Sequence, residues 1–244
     1  MHIESLTHFS QALGREMHMK IYGHGGTPFL GFPTQDADCS NYENFGMIAH
    51  LKDFLEDGRM QLFTVDSVDA ESWSQLRGDG AARAARQEQY YRYIVDEAVP
   101  LIAARNASAL PRAMGISMGA NHAAIAFLRR PDLFGGMLAL SGVYDVGCFF
   151  GGWMNDTLYD NAPECFLPNM PADHRYIPLY NQRKVIFCVG QGAWEEEGVR
   201  TLLNLQRIFS EKGILAWCDI WGNDVNHDWP WRFKQARYFL PDLL

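Results

Sequence analysis

The feature that most constrains this chain is the pentapeptide Gly-Ile-Ser-Met-Gly at Gly115–Gly119. The apolar stretch Pro111–Ile116 predicts a short buried strand before the serine, and Ala120–Arg130 is rich in helix-forming residues. The pattern G-x-S-x-G at such a junction is typical of a sharp turn that exposes the serine hydroxyl. N–H groups at the start of the helix would favour a developing negative charge there. We therefore expect Ser117 to be a nucleophile; the alternative is an ordinary turn with a buried serine.

The remainder of the chain alternates between apolar runs and helix-like stretches. This alternation predicts the α/β class, with a central, mostly parallel sheet and helices on both faces. The expected strands are Ile3–Phe9, Met17–Tyr22, Pro28–Phe32, Met60–Val65, Pro111–Ile116, Gly136–Leu140, Lys184–Val189 and Ile214–Ile220. The first three of these are expected to form an antiparallel edge. The expected helices are Asn44–Leu55, Ala81–Arg105, Ala120–Arg130, Gly198–Lys212 and Trp231–Leu240.

No linker or repeat divides the sequence, so residues 1–244 are expected to form a single domain. One segment, 143–183, has little periodicity and is rich in proline and aromatic residues. An irregular insertion of this length inside a compact domain is usually functional. It is interpreted either as a lid over the site or as a surface excursion with its own small core.

Composition and charge exclude several classes of function. The formal net charge of −8 argues against nucleic acid or an anionic membrane surface as a partner. The five cysteines have no paired spacing, and Met1–Ser10 lacks the apolar core of a signal peptide. We therefore expect a cytoplasmic protein with reduced thiols. Neither metal-ligand spacing nor a glycine-rich phosphate loop occurs, so no metal and no cofactor are expected.

A serine hydroxyl needs a base to take its proton, and the base needs an orienting carboxylate. When the nucleophile lies on such a turn, the usual chain order is serine, acid, histidine. His227 follows the strand Ile214–Ile220 and is the candidate base; His174, the only other histidine beyond the turn's helix, lies in the irregular insertion. Glu195 is the preferred acid because it is the first carboxylate after the strand Lys184–Val189. The alternatives left open are Glu196, Glu197 and Asp145.

The oxyanion of an acyl-transfer reaction needs two N–H donors. One is expected from Met118, directly after the nucleophile. The other is expected from Gln35, with Thr34 as the alternative, in the loop after the strand Pro28–Phe32. Trp194 and Trp229 lie in the loops of the acid and the base. They are expected to wall a substrate pocket; the alternative is that they pack the C-terminal helix against the sheet.

Three further residues lie near the predicted site. Asp66 and Asp69 follow the strand Met60–Val65, and His122 lies about one helical turn beyond Ser117. The carboxylates are expected to face the edge of the site or to cap a loop, and the histidine is expected to pack in the core.

Four stretches carry a resemblance to a known family: Phe32–Met47, Val65–Trp73, Gly115–Asp145 and Asn226–Arg232. In these the chain resembles the putative esterase branch of the α/β-hydrolases, which includes esterase D (S-formylglutathione hydrolase) and the feruloyl and acetylxylan esterases. The resemblance implies an α/β-hydrolase fold, Ser117 as nucleophile, His227 as base and a carboxylate after Val189. The chain departs from the family at that acid, where Gly-Gln-Gly-Ala-Trp-Glu replaces the frequent Gly and Asp.

The sequence therefore predicts a serine hydrolase that cleaves carboxylic esters through an acyl-enzyme. Two alternatives stay open: an acyltransferase that uses the same site, and a non-catalytic binding protein of the same fold. The expected partner is a small-molecule or oligomeric ester, and the aromatic insertion would suit a homodimer as well as a substrate mouth.

Overall fold

An eight-stranded sheet forms the centre of the computed structural model, which describes all 244 residues. The spatial order of the strands is β1-β2-β4-β3-β5-β6-β7-β8. Strands β3 to β8 are parallel to one another, whereas β2 is antiparallel to both its neighbours. The strands are β1 (Ile3–Ser10), β2 (Arg15–Tyr22), β3 (Thr27–Phe32), β4 (Met60–Val65), β5 (Arg112–Ile116), β6 (Gly136–Leu140), β7 (Lys184–Val189) and β8 (Trp217–Ile220).

The position of β3 differs from the prediction. It is not part of an antiparallel edge but lies in the parallel part of the sheet, between β4 and β5. Only β1 and β2 form the antiparallel ribbon, which joins the sheet through β4. The physical reason is burial: residues 28–32 are buried without alternation, as expected of a strand covered on both faces.

Helices cover both faces of the sheet. One face packs against α4, α5, α6, α11 and the segment 143–183, and the other packs against α1, α2, α3 and α12. Successive residues of each strand point alternately toward these two layers of helices. The helices are α1 (Asn41–Asn44), α2 (Met47–His50), α3 (Lys52–Glu56), α4 (Gly80–Arg92), α5 (Val99–Arg105), α6 (Met118–Arg129), α7 (Gly147–Phe150), α8 (Asp156–Asp160), α9 (Pro163–Asn169), α10 (Tyr176–Asn181), α11 (Glu196–Lys212) and α12 (Trp229–Phe239).

Two predicted helices differ from the observed ones. The stretch Asn44–Leu55 is three short helices rather than one, because Gly46 has a left-handed φ of 88° and Leu51 leaves the helical region. The stretch predicted as Ala81–Arg105 is continuous but contains a π-helical turn at Tyr93–Ala98, between α4 and α5. The predicted strand Ile214–Ile220 begins only at Trp217.

The segment 143–183 folds into the four short helices α7 to α10. Its buried apolar side chains, among them Phe150, Leu158, Leu167 and Tyr180, lie in the main core rather than in a separate one. None of the helices in the molecule combines the length and apolar character that crossing a bilayer requires.

Candidate active site

Ser117 lies on a strained turn between β5 and α6. Its φ of 58° and ψ of −122° are rarely adopted by an L-residue, at a cost of about 1–3 kcal/mol. The two flanking glycines are required by close approach. A methyl group on Gly115 would overlap the carbonyl oxygen of Gly119, and one on Gly119 would overlap the carbonyl oxygens of Phe32 and Pro33. The turn therefore holds the hydroxyl at the carboxyl edge of the sheet.

His227 is within hydrogen-bond distance of this hydroxyl. Its Nε2 atom lies 3.0 Å from Oγ of Ser117, although the two residues are 110 positions apart in the chain. The histidine belongs to the loop between β8 and α12. Its backbone N–H donates to the backbone carbonyl of Ala193 at 3.0 Å. An Nε2 atom without a proton can accept the serine proton at this distance.

Glu195 lies on the other side of the imidazole. Its Oε2 atom is 3.3 Å from Nδ1 of His227, while Oε1 accepts from the Ser141 hydroxyl at 2.6 Å and from Nη1 of Arg232 at 3.1 Å. Burial alone would raise the pKa of this carboxyl. The hydrogen bond with His227, the charge of Arg232 and the hydrogen bond from Ser141 reverse that effect, and hold the pKa below its usual value. Glu195 is therefore a buried carboxylate that can orient the imidazole.

The alternative acids lie elsewhere. Glu196 is exposed, and both Glu197 and Asp145 form salt bridges with Arg200, at 2.6 Å and 2.9 Å. Of the four carboxylates weighed from the sequence, only Glu195 contacts His227.

Two backbone N–H groups near Ser117 have no hydrogen-bond partner within the protein. Met118 is the first residue of α6, so its N–H has no partner within the helix. On the facing loop, the N–H of Thr34 donates to Oδ1 of Asn41 at 3.1 Å and that of Asp36 donates to Oδ2 of Asp69 at 3.3 Å. The N–H of Gln35, between them, makes no such bond. The alternative donor, Thr34, is thus already engaged.

A cavity of about 230 Å³ opens beside the serine. Trp229 contributes one wall, and its ring stacks on Phe45 with centroids 4.8 Å apart. Trp194 lines no part of this cavity and is 86% exposed. No residue of the segment 143–183 lines it either. The lining residues are Thr34, Gln35, Ile116, Ser117, His227, Asp228, Trp229 and Arg232.

Sequence reasoning missed the two residues that hold Glu195. Ser141 follows β6 at the same edge of the sheet, and its positive φ of 52° was not visible as a pattern. Arg232 lies on the first turn of α12 and is buried. Its only signal was its place within the family-like stretch Asn226–Arg232. No group of three or more histidine, cysteine or acidic side chains is arranged to hold a metal ion.

Comparisons with known proteins identify the family and the fold. The family described as putative esterase matches residues 10–229. Among solved structures, a ferulic acid esterase is similar with a TM-score of 0.75 at 13% identity, over 99% of this chain and 96% of that one. The S-formylglutathione hydrolase of Agrobacterium tumefaciens has a TM-score of 0.69 at 13% identity, over 98% and 92% of the two chains. A fluorophosphonate-binding serine hydrolase of Staphylococcus aureus has a TM-score of 0.67 at 13% identity, over 98% and 97%.

No curated protein matches the sequence. The structural likenesses confirm the predicted α/β-hydrolase fold, and the family match covers most of the chain. The chain therefore belongs to the putative esterase family and is a carboxylic ester hydrolase.

Proposed function

We propose that Ser117, His227 and Glu195 form a catalytic triad that hydrolyses carboxylic esters through an acyl-enzyme. The observation that carries the proposal is one imidazole between two partners. Nε2 of His227 is 3.0 Å from Oγ of Ser117, and Nδ1 is 3.3 Å from the buried carboxylate of Glu195. This is the arrangement in which a histidine can act first as a base and then as an acid.

In the acylation half, Nε2 of His227 takes the hydroxyl proton as Oγ of Ser117 bonds to the ester carbonyl carbon. The carbonyl oxygen becomes an oxyanion and accepts hydrogen bonds from the N–H groups of Met118 and Gln35. The C–O bond to the alcohol then breaks, and the protonated His227 gives its proton to the departing oxygen.

In the deacylation half, a water molecule loses a proton to Nε2 of His227 and attacks the acyl carbon. The same two N–H groups hold the second oxyanion. The bond from the acyl carbon to Oγ breaks, Oγ recovers the proton from His227, and the carboxylic acid leaves. Glu195 keeps the proton of Nδ1 in place and stabilises the imidazolium in both halves.

Trp229 is proposed to contact the substrate, because its side chain lines the cavity that contains Ser117 and His227. The small volume of about 230 Å³ favours esters in which the group held beside the serine is compact.

A fluorophosphonate probe followed by mass-spectrometric mapping tests the nucleophile. We expect the label on Ser117, and we expect Ser117→Ala to abolish labelling and lower kcat for p-nitrophenyl acetate by about 10⁴-fold or more. Ser210→Ala, on the exposed surface of α11, is the matched control and should retain the wild-type rate. A label on another residue, or a fully active Ser117→Ala variant, would refute the triad.

We also propose a cytoplasmic location, supported by five free cysteines, which suit a reducing compartment. Recovery of the natural protein from a secreted fraction would contradict this location. A homodimer stays a prediction, and sedimentation equilibrium that gives a monomer at every concentration would exclude it.

A further inference from the structure

Asp69 joins the two elements that carry the proposed oxyanion donors. The residue lies in the short helical turn after β4 and is fully buried. Its Oδ1 atom is 2.7 Å from Nε2 of His122, and its Oδ2 atom accepts the N–H of Asp36 at 3.3 Å. His122 belongs to α6, which begins at Met118, whereas Asp36 directly follows Gln35. One carboxylate thus bridges the helix of the first donor and the loop of the second.

The loop around Gln35 is held on both sides. Before it, Thr34 makes two hydrogen bonds with Asn41: its N–H donates to Oδ1 at 3.1 Å, and its hydroxyl oxygen accepts from Nδ2 at 3.0 Å. After it, Asp36 has a left-handed φ of 58°, a conformation that aspartate tolerates better than most side chains. The N–H of Asp36 is the group that Asp69 binds. The free N–H of Gln35 is therefore presented between two anchored neighbours.

The ring of His122 is buried and packed against aromatic side chains. Its ring contacts Tyr90 edge-on with centroids 4.9 Å apart, and stacks on Phe32 at 6.2 Å. Its side chain is 1% exposed, and that of Asp69 is 0% exposed. The Nδ1 atom of the ring has no hydrogen-bond partner. Asp69 is thus the one hydrogen-bonding partner of the ring, and a shift of its carboxylate would act on both elements.

We propose that Asp69 and His122 are positioning residues that set the distance and direction between the N–H donors of Met118 and Gln35. The inference rests on the proposed function, since it concerns the same oxyanion. Such a role follows from the sensitivity of catalysis to geometry. A misplacement of about 1 Å can cost about 10²-fold in rate, and loss of one oxyanion donor costs about 10²–10³-fold.

The main test is Asp69→Ala, measured by steady-state kinetics on p-nitrophenyl acetate. We expect kcat to fall about 10²-fold while KM changes less than about threefold, because the donors act on the transition state. Asp69→Asn should recover most of this loss. Its oxygen can still accept from Asp36, and its NH₂ group can donate to Nε2 of His122 when the ring proton moves to the unpartnered Nδ1.

A double-mutant cycle separates positioning from general loss of structure. Gln35→Pro deletes the N–H, and Gln35→Ala gives the part of the loss that belongs to the side chain. If Asp69 acts through this N–H, adding Asp69→Ala to Gln35→Pro should lower kcat by less than about threefold more. Losses that multiply in full would overturn the inference.

Glu88→Ala is the control for stability, because it breaks the ion pair at 2.7 Å between Glu88 of α4 and Arg129 of α6, the helix that also carries His122. It should lower the melting temperature but leave kcat unchanged. If Asp69→Ala does not fold, Asp69→Ser keeps a polar group that is too short to bridge both partners, and the same loss of kcat is expected. A wild-type kcat in either folded variant refutes the positioning role alone. A wild-type enzyme that neither hydrolyses esters nor labels at Ser117 refutes the triad, and the inference with it.

Discussion

Glu195 and Arg232 form an ion pair that is closed to solvent. Nη1 of the arginine lies 3.1 Å from Oε1 of the glutamate, and the side chains are 2% and 1% exposed. This contact occupies one oxygen of the carboxylate and leaves Oε2 to face His227. Arg232 thereby fixes which oxygen is available to the imidazole.

The first prediction concerns the pH dependence of stability. Arg232→Met leaves a buried carboxylate with fewer partners, so we expect a loss of about 3–5 kcal/mol in the free energy of unfolding at pH 7. In the wild type the pKa of Glu195 is lowered, so its contribution is present above the unfolded pKa and is lost as pH falls through the folded value. In the variant, the charge of Arg232 no longer offsets the effect of burial, so the pKa of Glu195 rises.

The difference between the two proteins should therefore shrink as pH falls, first as the carboxyl of the variant is protonated at its raised pKa, and further as pH falls through the lowered pKa of the wild type. Urea unfolding of both proteins at pH 7 and at pH 4 measures this difference in the free energy of unfolding. A stability difference that is equal at both pH values would contradict the pairing.

The second prediction distinguishes the acid from its neighbour. Glu195→Gln keeps an oxygen for Ser141 and Arg232 but turns an NH₂ group toward Nδ1 of His227. The imidazole must then carry its proton on Nε2, where it cannot accept one from Ser117. We expect kcat to fall about 10³–10⁴-fold.

Glu196→Gln is the matched control, because that side chain is exposed and adjacent. Its kcat should stay within about twofold of the wild type, as for most surface substitutions. Equal losses in the two variants would remove Glu195 from the triad.

A third prediction concerns the strain at Ser117. Glycine adopts a φ of 58° far more readily than serine, so Ser117→Gly should gain about 1 kcal/mol in the free energy of unfolding, after the entropic cost of glycine. Ser117→Ala keeps the strain and should gain nothing comparable. Both variants lack the hydroxyl and should be inactive. Identical urea midpoints for the two would show that the turn stores no strain.

The fourth prediction separates the two tryptophans that the sequence placed at the substrate. Trp229→Ala removes a wall of the cavity and should raise KM for small esters about tenfold, equivalent to ~1.4 kcal/mol of binding. Trp194 is 86% exposed, and Trp194→Ala should change KM less than about twofold. A larger rise in KM for Trp194→Ala than for Trp229→Ala would show that the substrate binds beside Trp194 rather than in the cavity that Trp229 lines.

The strands and the proposed nucleophile could be predicted from local patterns. Strands β4, β6 and β7 have the bounds that their apolar runs predicted, since strands buried on both faces read as continuous runs. Ser117 and His227 followed from the turn and from chain order. Glu195 is preferred because it comes first after the strand Lys184–Val189, but local spacing does not show which of three consecutive glutamates turns inward.

Other features depend on tertiary contacts alone. The place of β3 between β4 and β5 reflects burial on both faces rather than its proximity in sequence to β2. The contact of Asp69 with His122 joins residues 53 positions apart. The sequence put Asp69 near the edge of the site and His122 in the core, and only their distance reveals that one carboxylate serves both the helix and the loop.

The candidate site gathers residues from chain segments that are far apart, and the loop that carries His227 follows β8, which pairs with β7 at the margin of the sheet. No fragment that ends before this last strand contains the base. An ester assay followed during refolding would therefore report completed molecules, and its signal should lag behind any spectroscopic sign of early helix formation.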